Sequence, residues 1–152
     1  MKAYFGRRYM LSASHRLHNE ALSAEQNRKA YGKCNNPQGH GHNYTIEVLV
    51  GGPVAADTGM VINLVDLDAV MRTCVLDRFD HTNLNLDPLF THSVPTTENL
   101  CRAVFQLLEH DLPGVELEYV RIEETENNFF ECFAGSAEDA RHQTADCTSA
   151  LQ

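Results

Sequence analysis

The sequence predicts an α+β domain, an antiparallel sheet with two helices packed on one face, and three patterns predict it. Two early stretches alternate apolar and polar residues with period two, and two central stretches repeat apolar residues at helical spacing. A closing pair of alternating stretches flanks a short polar turn. In chain order this is β-β-α-α-β-β, with strands and helices segregated as in α+β folds.

Residues 3–15, AYFGRRYMLSASH, place Phe5, Tyr9, Leu11, Ala13 and His15 at one parity of a first strand. Ser23 with Gln26 three residues later forms a capping box for a short helix, which Gly32 stops. HNYTIEVLV then predicts a second strand, with His42, Tyr44, Ile46, Val48 and Val50 on one face. GGPVAADTG is a loop by its glycine, proline and aspartate content. Asn63 caps a helix running to about Phe79, with an apolar stripe of Leu64, Leu67, Met71, Cys74 and Val75. DHTNLNLDPLFTHSVP is a long irregular connection, and such loops inside compact domains are often functional. Thr96 or Thr97 caps the next helix, which carries Leu100, Ala103, Val104, Leu107 and Leu108 and ends at Pro113-Gly114. VELEYVRIEET and FFECFA flank ENN as a closing hairpin. Residues 1–135 therefore form one domain, and residues 136–152 are a polar tail of small residues. The uncovered face of so small a sheet points to assembly.

Composition excludes several classes of function. A net charge of −9 argues against general binding to nucleic acid or anionic membrane, both of which require a basic face. No apolar run reaches membrane-spanning length, and MKAYFGRRYM lacks the apolar stretch of a signal peptide. Five scattered cysteines suit reduced thiols, and a cytoplasmic location is expected.

The chemistry concentrates in CNNPQGHGHNY, residues 34–44. His40 and His42, two apart on a strand, leave from the same face. His15 has the matching parity and joins them if the two strands pair as antiparallel neighbours. Three imidazoles suit Zn²⁺ and leave a fourth position open, as in catalytic sites. Cys34 is either a fourth ligand closing a structural site or a base. A cysteine thiol ionises near pH 8.5, so the second role needs help from a metal, Lys33 or a histidine. Asp80-His81 offers such help, the carboxylate orienting an imidazole that exchanges a proton with the thiol; on the bland alternative Asp80 is a turn residue. His18, His92, His110 and His142 have no comparable context and are expected to be exposed. Cys74, Cys101 and Cys132 lie within apolar patterns and read as small core residues.

LSASHRL, GKCNNPQGHGHNY, DTGMVINLVDL, LDRFDHTNLN, PTTENL and IEETENN, in order across about residues 4–135, resemble the 6-pyruvoyl-tetrahydropterin synthase family. The resemblance implies a T-fold, in which trimers close a barrel of strands and two trimers stack into a homohexamer with active sites at subunit interfaces. It implies zinc on His15, His40 and His42, and a proton-abstracting Cys34 relayed through Asp80 and His81. It further implies a pterin-anchoring Glu124, with substrate contacts from Thr96 and Thr97. The activity it implies is a lyase converting 7,8-dihydroneopterin triphosphate to 6-pyruvoyl-tetrahydropterin with loss of triphosphate. Two alternatives stand beside it: a 6-carboxy-tetrahydropterin synthase of deazapurine synthesis, or a non-catalytic pterin- or zinc-binding module. The five residues between Cys34 and His40 resemble the pyruvoyl enzymes. Between adjacent glutamates, strand alternation sends Glu124 to the side of Val120 and Ile122 and Glu123 to the side of Tyr119 and Arg121.

Overall fold

The computed structural model describes residues 1–135, so the tail expected at 136–152 lies outside the described residues. Strands β1 (Lys2–His15) and β2 (His40–Pro53) pair antiparallel along their whole lengths, from Lys2 opposite Pro53 to His15 opposite His40. Between them lies helix α1 (Ala24–Tyr31), opened by the reciprocal bonds of Ser23 and Gln26 and ended at Gly32, whose φ is +54°. A 3₁₀ turn, Gly32–Asn35, follows and carries Cys34.

Helix α2 (Leu64–Met71), capped by the Asn63 side chain, runs through a π-helical turn at Arg72–Leu76 into α3 (Asp77–Phe79). Leu67, Met71, Cys74, Val75 and Phe79 are buried along it, whereas Leu64 is 38% exposed, so the buried stripe starts one turn later than its spacing predicts. The following connection is more ordered than expected. Strand β3 (Thr82–Asn83) pairs parallel with Ala13-Ser14, and 3₁₀ turns Leu84–Leu86 and Pro88–Phe90 are capped by Asn83 and Asp87. Arg78 grips Asp87 bidentately at 2.8 Å, while Leu84 and Phe90 insert into the core.

Helix α4 (Thr97–Leu108) has Thr96 as its N-cap and buries Leu100, Val104 and Leu108. Strands β4 (Glu116–Thr125) and β5 (Asn128–Phe133) complete a mixed sheet of order β3-β1-β2-β4-β5, antiparallel apart from the β3–β1 pairing. The order β-β-α-α-β-β is as read, with α1 the short helix expected between the first two strands and β3 a small addition. Leu11, Tyr44, Ile46, Val48, Val120 and Ile122 line one face of the sheet and form a single core with the helices. The opposite face shows Tyr4, Met10, Phe129 and Phe133 to solvent. At Glu124 the β4–β5 register slips: Glu123 opposes Phe129 and Thr125 opposes Asn128, leaving Glu124 without a partner.

Candidate metal centre and active site

The register of β1 and β2 assembles the histidines. His15 lies directly opposite His40, and Ala13 opposite His42, so three imidazoles collect at one end of the helix-covered face. Their ring centroids are 4.6, 4.8 and 5.1 Å apart, and His15 Nε2 lies 3.1 Å from His40 Nε2. One nitrogen from each ring falls within 4.8 Å of the others, an arrangement positioned to hold a metal ion. His15 is 1% exposed, and its Nδ1–H donates to the Pro95 carbonyl at 2.7 Å, which leaves the Nε2 lone pair for the cluster. Burial holds the pKa of His15 and of His42 below the usual histidine range, favouring the neutral form that a metal requires. His42 Nε2 is buried without a hydrogen-bond partner, a cost that ligation would remove. The three residues fit a metal ion.

The loop that delivers His40 depends on one glycine. Gly39 has φ +69°, and a Cβ there would stand 2.9 Å from the His15 carbonyl oxygen. Beneath the cluster, buried Tyr44 brings its hydroxyl 3.4 Å from His15 Nδ1.

Glu124 faces this cluster. Its Oε1 lies 3.5 Å from His42 Nε2 and 3.7 Å from His15 Nε2. Thr97 Oγ1 donates to Oε1 and Asn128 Nδ2 to Oε2, each at 2.7 Å. Burial pushes the Glu124 carboxyl up, but the bonds from Thr97 and Asn128 and the nearby imidazoles outweigh it and hold the pKa below the usual range. Glu123 faces the other side of the sheet, where Arg121 binds it at 3.0 Å. Thr97 is buried against Glu124, while the Thr96 hydroxyl accepts the Asn99 N–H at 3.3 Å as the cap of α4. Asn128 was invisible to sequence reasoning, because only the bulge at Glu124 brings it onto the carboxylate.

Cys34 is partly exposed in its 3₁₀ turn and stands outside the cluster of mutually close ligand atoms. Asp80 and His81 form a pair, His81 Nδ1 lying 3.0 Å from Asp80 Oδ1, which also accepts the Ser12 N–H at 2.9 Å. The Ser12 bond is the main reason that the Asp80 carboxyl lies below its usual range. His81 takes φ +59°, rare outside glycine, and its side chain is 81% exposed. Among the described residues no hydrogen bond joins this pair to Cys34. His18 departs from its reading as an exposed histidine: its side chain is 21% exposed and its Nδ1 meets Asn35 Nδ2 at 3.0 Å. No helix among the described residues is long and apolar enough to cross a membrane.

Known proteins share this architecture and sequence. A family model described as 6-pyruvoyl tetrahydropterin synthase matches residues 5–134. The human 6-pyruvoyl tetrahydrobiopterin synthase is 46% identical over 128 residues, spanning 84% of this chain and 88% of that relative. The structure of the Caenorhabditis elegans 6-pyruvoyl tetrahydropterin synthase superposes with a TM-score of 0.82 at 39% identity, covering 88% of this chain and 96% of that one. A Bacillus subtilis 6-carboxy-5,6,7,8-tetrahydropterin synthase is more distant, 30% identical over 93 residues, 59% of this chain and 60% of that relative. With a family model matching residues 5–134 and relatives 46% and 39% identical over most of its length, the chain belongs to the 6-pyruvoyl tetrahydropterin synthase family.

Proposed function

We propose that the protein is a zinc-dependent lyase that converts 7,8-dihydroneopterin triphosphate to 6-pyruvoyl-tetrahydropterin and releases triphosphate. The observation that carries this reading is a carboxylate, Glu124, held 3.5 Å from His42 beside a three-histidine cluster. His15, His40 and His42 would hold the zinc, whose all-imidazole donor set suits that metal and leaves room for substrate. Zinc bound there would act as a Lewis acid toward the side-chain hydroxyls of the substrate and acidify the adjacent C–H bonds.

The remaining work belongs to the chain's own groups. Glu124, kept ionised by Thr97 and Asn128, accepts hydrogen bonds from the amino-pyrimidine edge of the pterin and sets the ring beside the cluster. Thr97 holds that carboxylate, and Thr96 fixes the start of the helix that carries Thr97. Cys34 removes a side-chain proton and returns one to the ring system. Asp80 orients His81 as the proton relay. Because among the described residues no hydrogen bond joins Cys34 to that pair, the relay fits a site shared between copies of the chain, in a homohexamer of two stacked trimers. We place the enzyme in the cytoplasm.

Mass analysis of the product formed from dihydroneopterin triphosphate tests the reading. A pyruvoyl pterin with free triphosphate is expected. A carboxypterin with acetaldehyde would replace the assignment by the carboxy activity, and binding without turnover would reduce the protein to a pterin-binding module.

A further inference from the structure

We propose that His18 and Asn35 are positioning residues that clasp the Cys34 turn to the exit of β1, fixing the thiol relative to the histidine cluster. The proposal rests on the reading of Cys34 as the base. β1 ends at His15, inside the cluster, and Arg16, Leu17 and His18 continue from it. These three residues hold the Cys34 turn by four hydrogen bonds. The Leu17 N–H donates to the Cys34 carbonyl at 2.9 Å, and Arg16 Nε donates to the Asn35 carbonyl at 3.2 Å. Asn35 Nδ2 donates back to the Leu17 carbonyl at 2.8 Å and meets His18 Nδ1 at 3.0 Å. The segment is held from its other side as well, since the Asn85 amide accepts from the Arg16 N–H at 2.7 Å and donates to the Arg16 carbonyl at 2.9 Å.

Hydrogen-bond chemistry decides the state of His18. A carbonyl is only an acceptor, so the Asn35 atom 2.8 Å from the Leu17 carbonyl is the amide nitrogen, with both hydrogens committed: one to Leu17 and one to His18. His18 Nδ1 must therefore accept, which selects the neutral tautomer carrying its hydrogen on Nε2, toward Glu20 Oε1 at 3.4 Å. Asn35 is 9% exposed, so removing the acceptor leaves an amide hydrogen buried and unpaired. The turn answers by moving, and Cys34 moves with it. Cys34 is thus coupled to His15 through the three-residue segment that follows β1.

The test compares His18→Leu, which removes the acceptor at similar bulk, with His18→Asn, whose Oδ1 stands where Nδ1 does. In the metal-loaded full chain, His18→Leu is expected to lower kcat by about ten- to a hundredfold, the scale of losing a well-oriented group, with KM and metal content unchanged. The Leu17 amide should exchange its hydrogen faster in the same variant, and iodoacetamide should modify Cys34 at an altered rate. His18→Asn should restore all three readouts. Unchanged kcat and Leu17 exchange in His18→Leu, or a His18→Asn variant as impaired as His18→Leu, would overturn the clasp. Cys34→Ala measured alongside separates the two claims: retained turnover in it overturns the base assignment, whereas the clasp stands or falls on Leu17 exchange.

Discussion

Replacing Glu124 by glutamine changes one oxygen to an amide nitrogen at nearly constant shape, so its effect reports on hydrogen bonding and charge. A carboxylate offers about four lone-pair directions. Thr97 and Asn128 each take one, at 2.7 Å, and the rest face the cluster and any ligand. Glutamine keeps a single acceptor oxygen. If that oxygen stays with Thr97, the new NH₂ confronts the Asn128 NH₂; in the opposite orientation the NH₂ donates to the Thr97 hydroxyl, whose own hydrogen must turn elsewhere. On the proposed anchoring role, a donor of the pterin loses its charged partner in either case. One hydrogen bond to a charged group contributes about 1.5–3 kcal/mol, so losing part of a bidentate pair should cost about 2–4 kcal/mol. At ~1.4 kcal/mol per tenfold, Glu124→Gln weakens binding by about a hundredfold. Glu123→Gln removes an ion pair with Arg121 on the opposite face of the sheet, and surface pairs contribute about 0–1 kcal/mol, so affinity there should hardly move. Calorimetry of both variants with a non-reactive pterin, at matched metal content, compares them. A larger loss in Glu123→Gln, or a Glu124→Gln variant that binds like the parent, would refute the anchor and the register behind it.

Cys34→Ala should keep its metal in stoichiometric analysis and lose turnover, because the thiol stands outside the three-histidine cluster; loss of the metal would make Cys34 a ligand. Gly39→Ala should destabilise the fold by about 2 kcal/mol, the scale of a strained backbone residue, and more than Gly59→Ala. Both glycines have positive φ, but a Cβ on Gly39 meets the His15 carbonyl at 2.9 Å while one on Gly59 meets nothing within 4 Å; equal thermal shifts would contradict this. Light scattering at micromolar concentration should give a hexamer, and a fully active monomer would remove the shared-site arrangement.

Much of this protein is legible along the chain because its signals are local. Alternation on β1 and β2 put His15, His40 and His42 on one face, the Ser23–Gln26 box opened α1, and parity separated Glu124 from Glu123. Each of those depends on neighbours a few residues away and on fixed backbone periods. Periodicity did not decide which residues meet across the chain. His15 opposite His40 requires the register of two 14-residue strands, set by the whole row of core pairs from Phe5 opposite Val50 to Ala13 opposite His42. Asn128 reaches Glu124 only because a bulge removes one residue from the β4–β5 ladder, and no local pattern announces a bulge. His18 carried no signal, since its partner Asn35 lies 17 residues away and meets it only through the bonds that tie the Gly32–Asn35 turn to the end of β1. The π-helical turn at Arg72–Leu76, which buries Cys74 and Val75, and the two-residue strand β3, which pairs with Ala13-Ser14, likewise depend on distant partners. Backbone preference acts within a few residues, but contact between distant side chains is settled by the one register and packing that fill the core without voids.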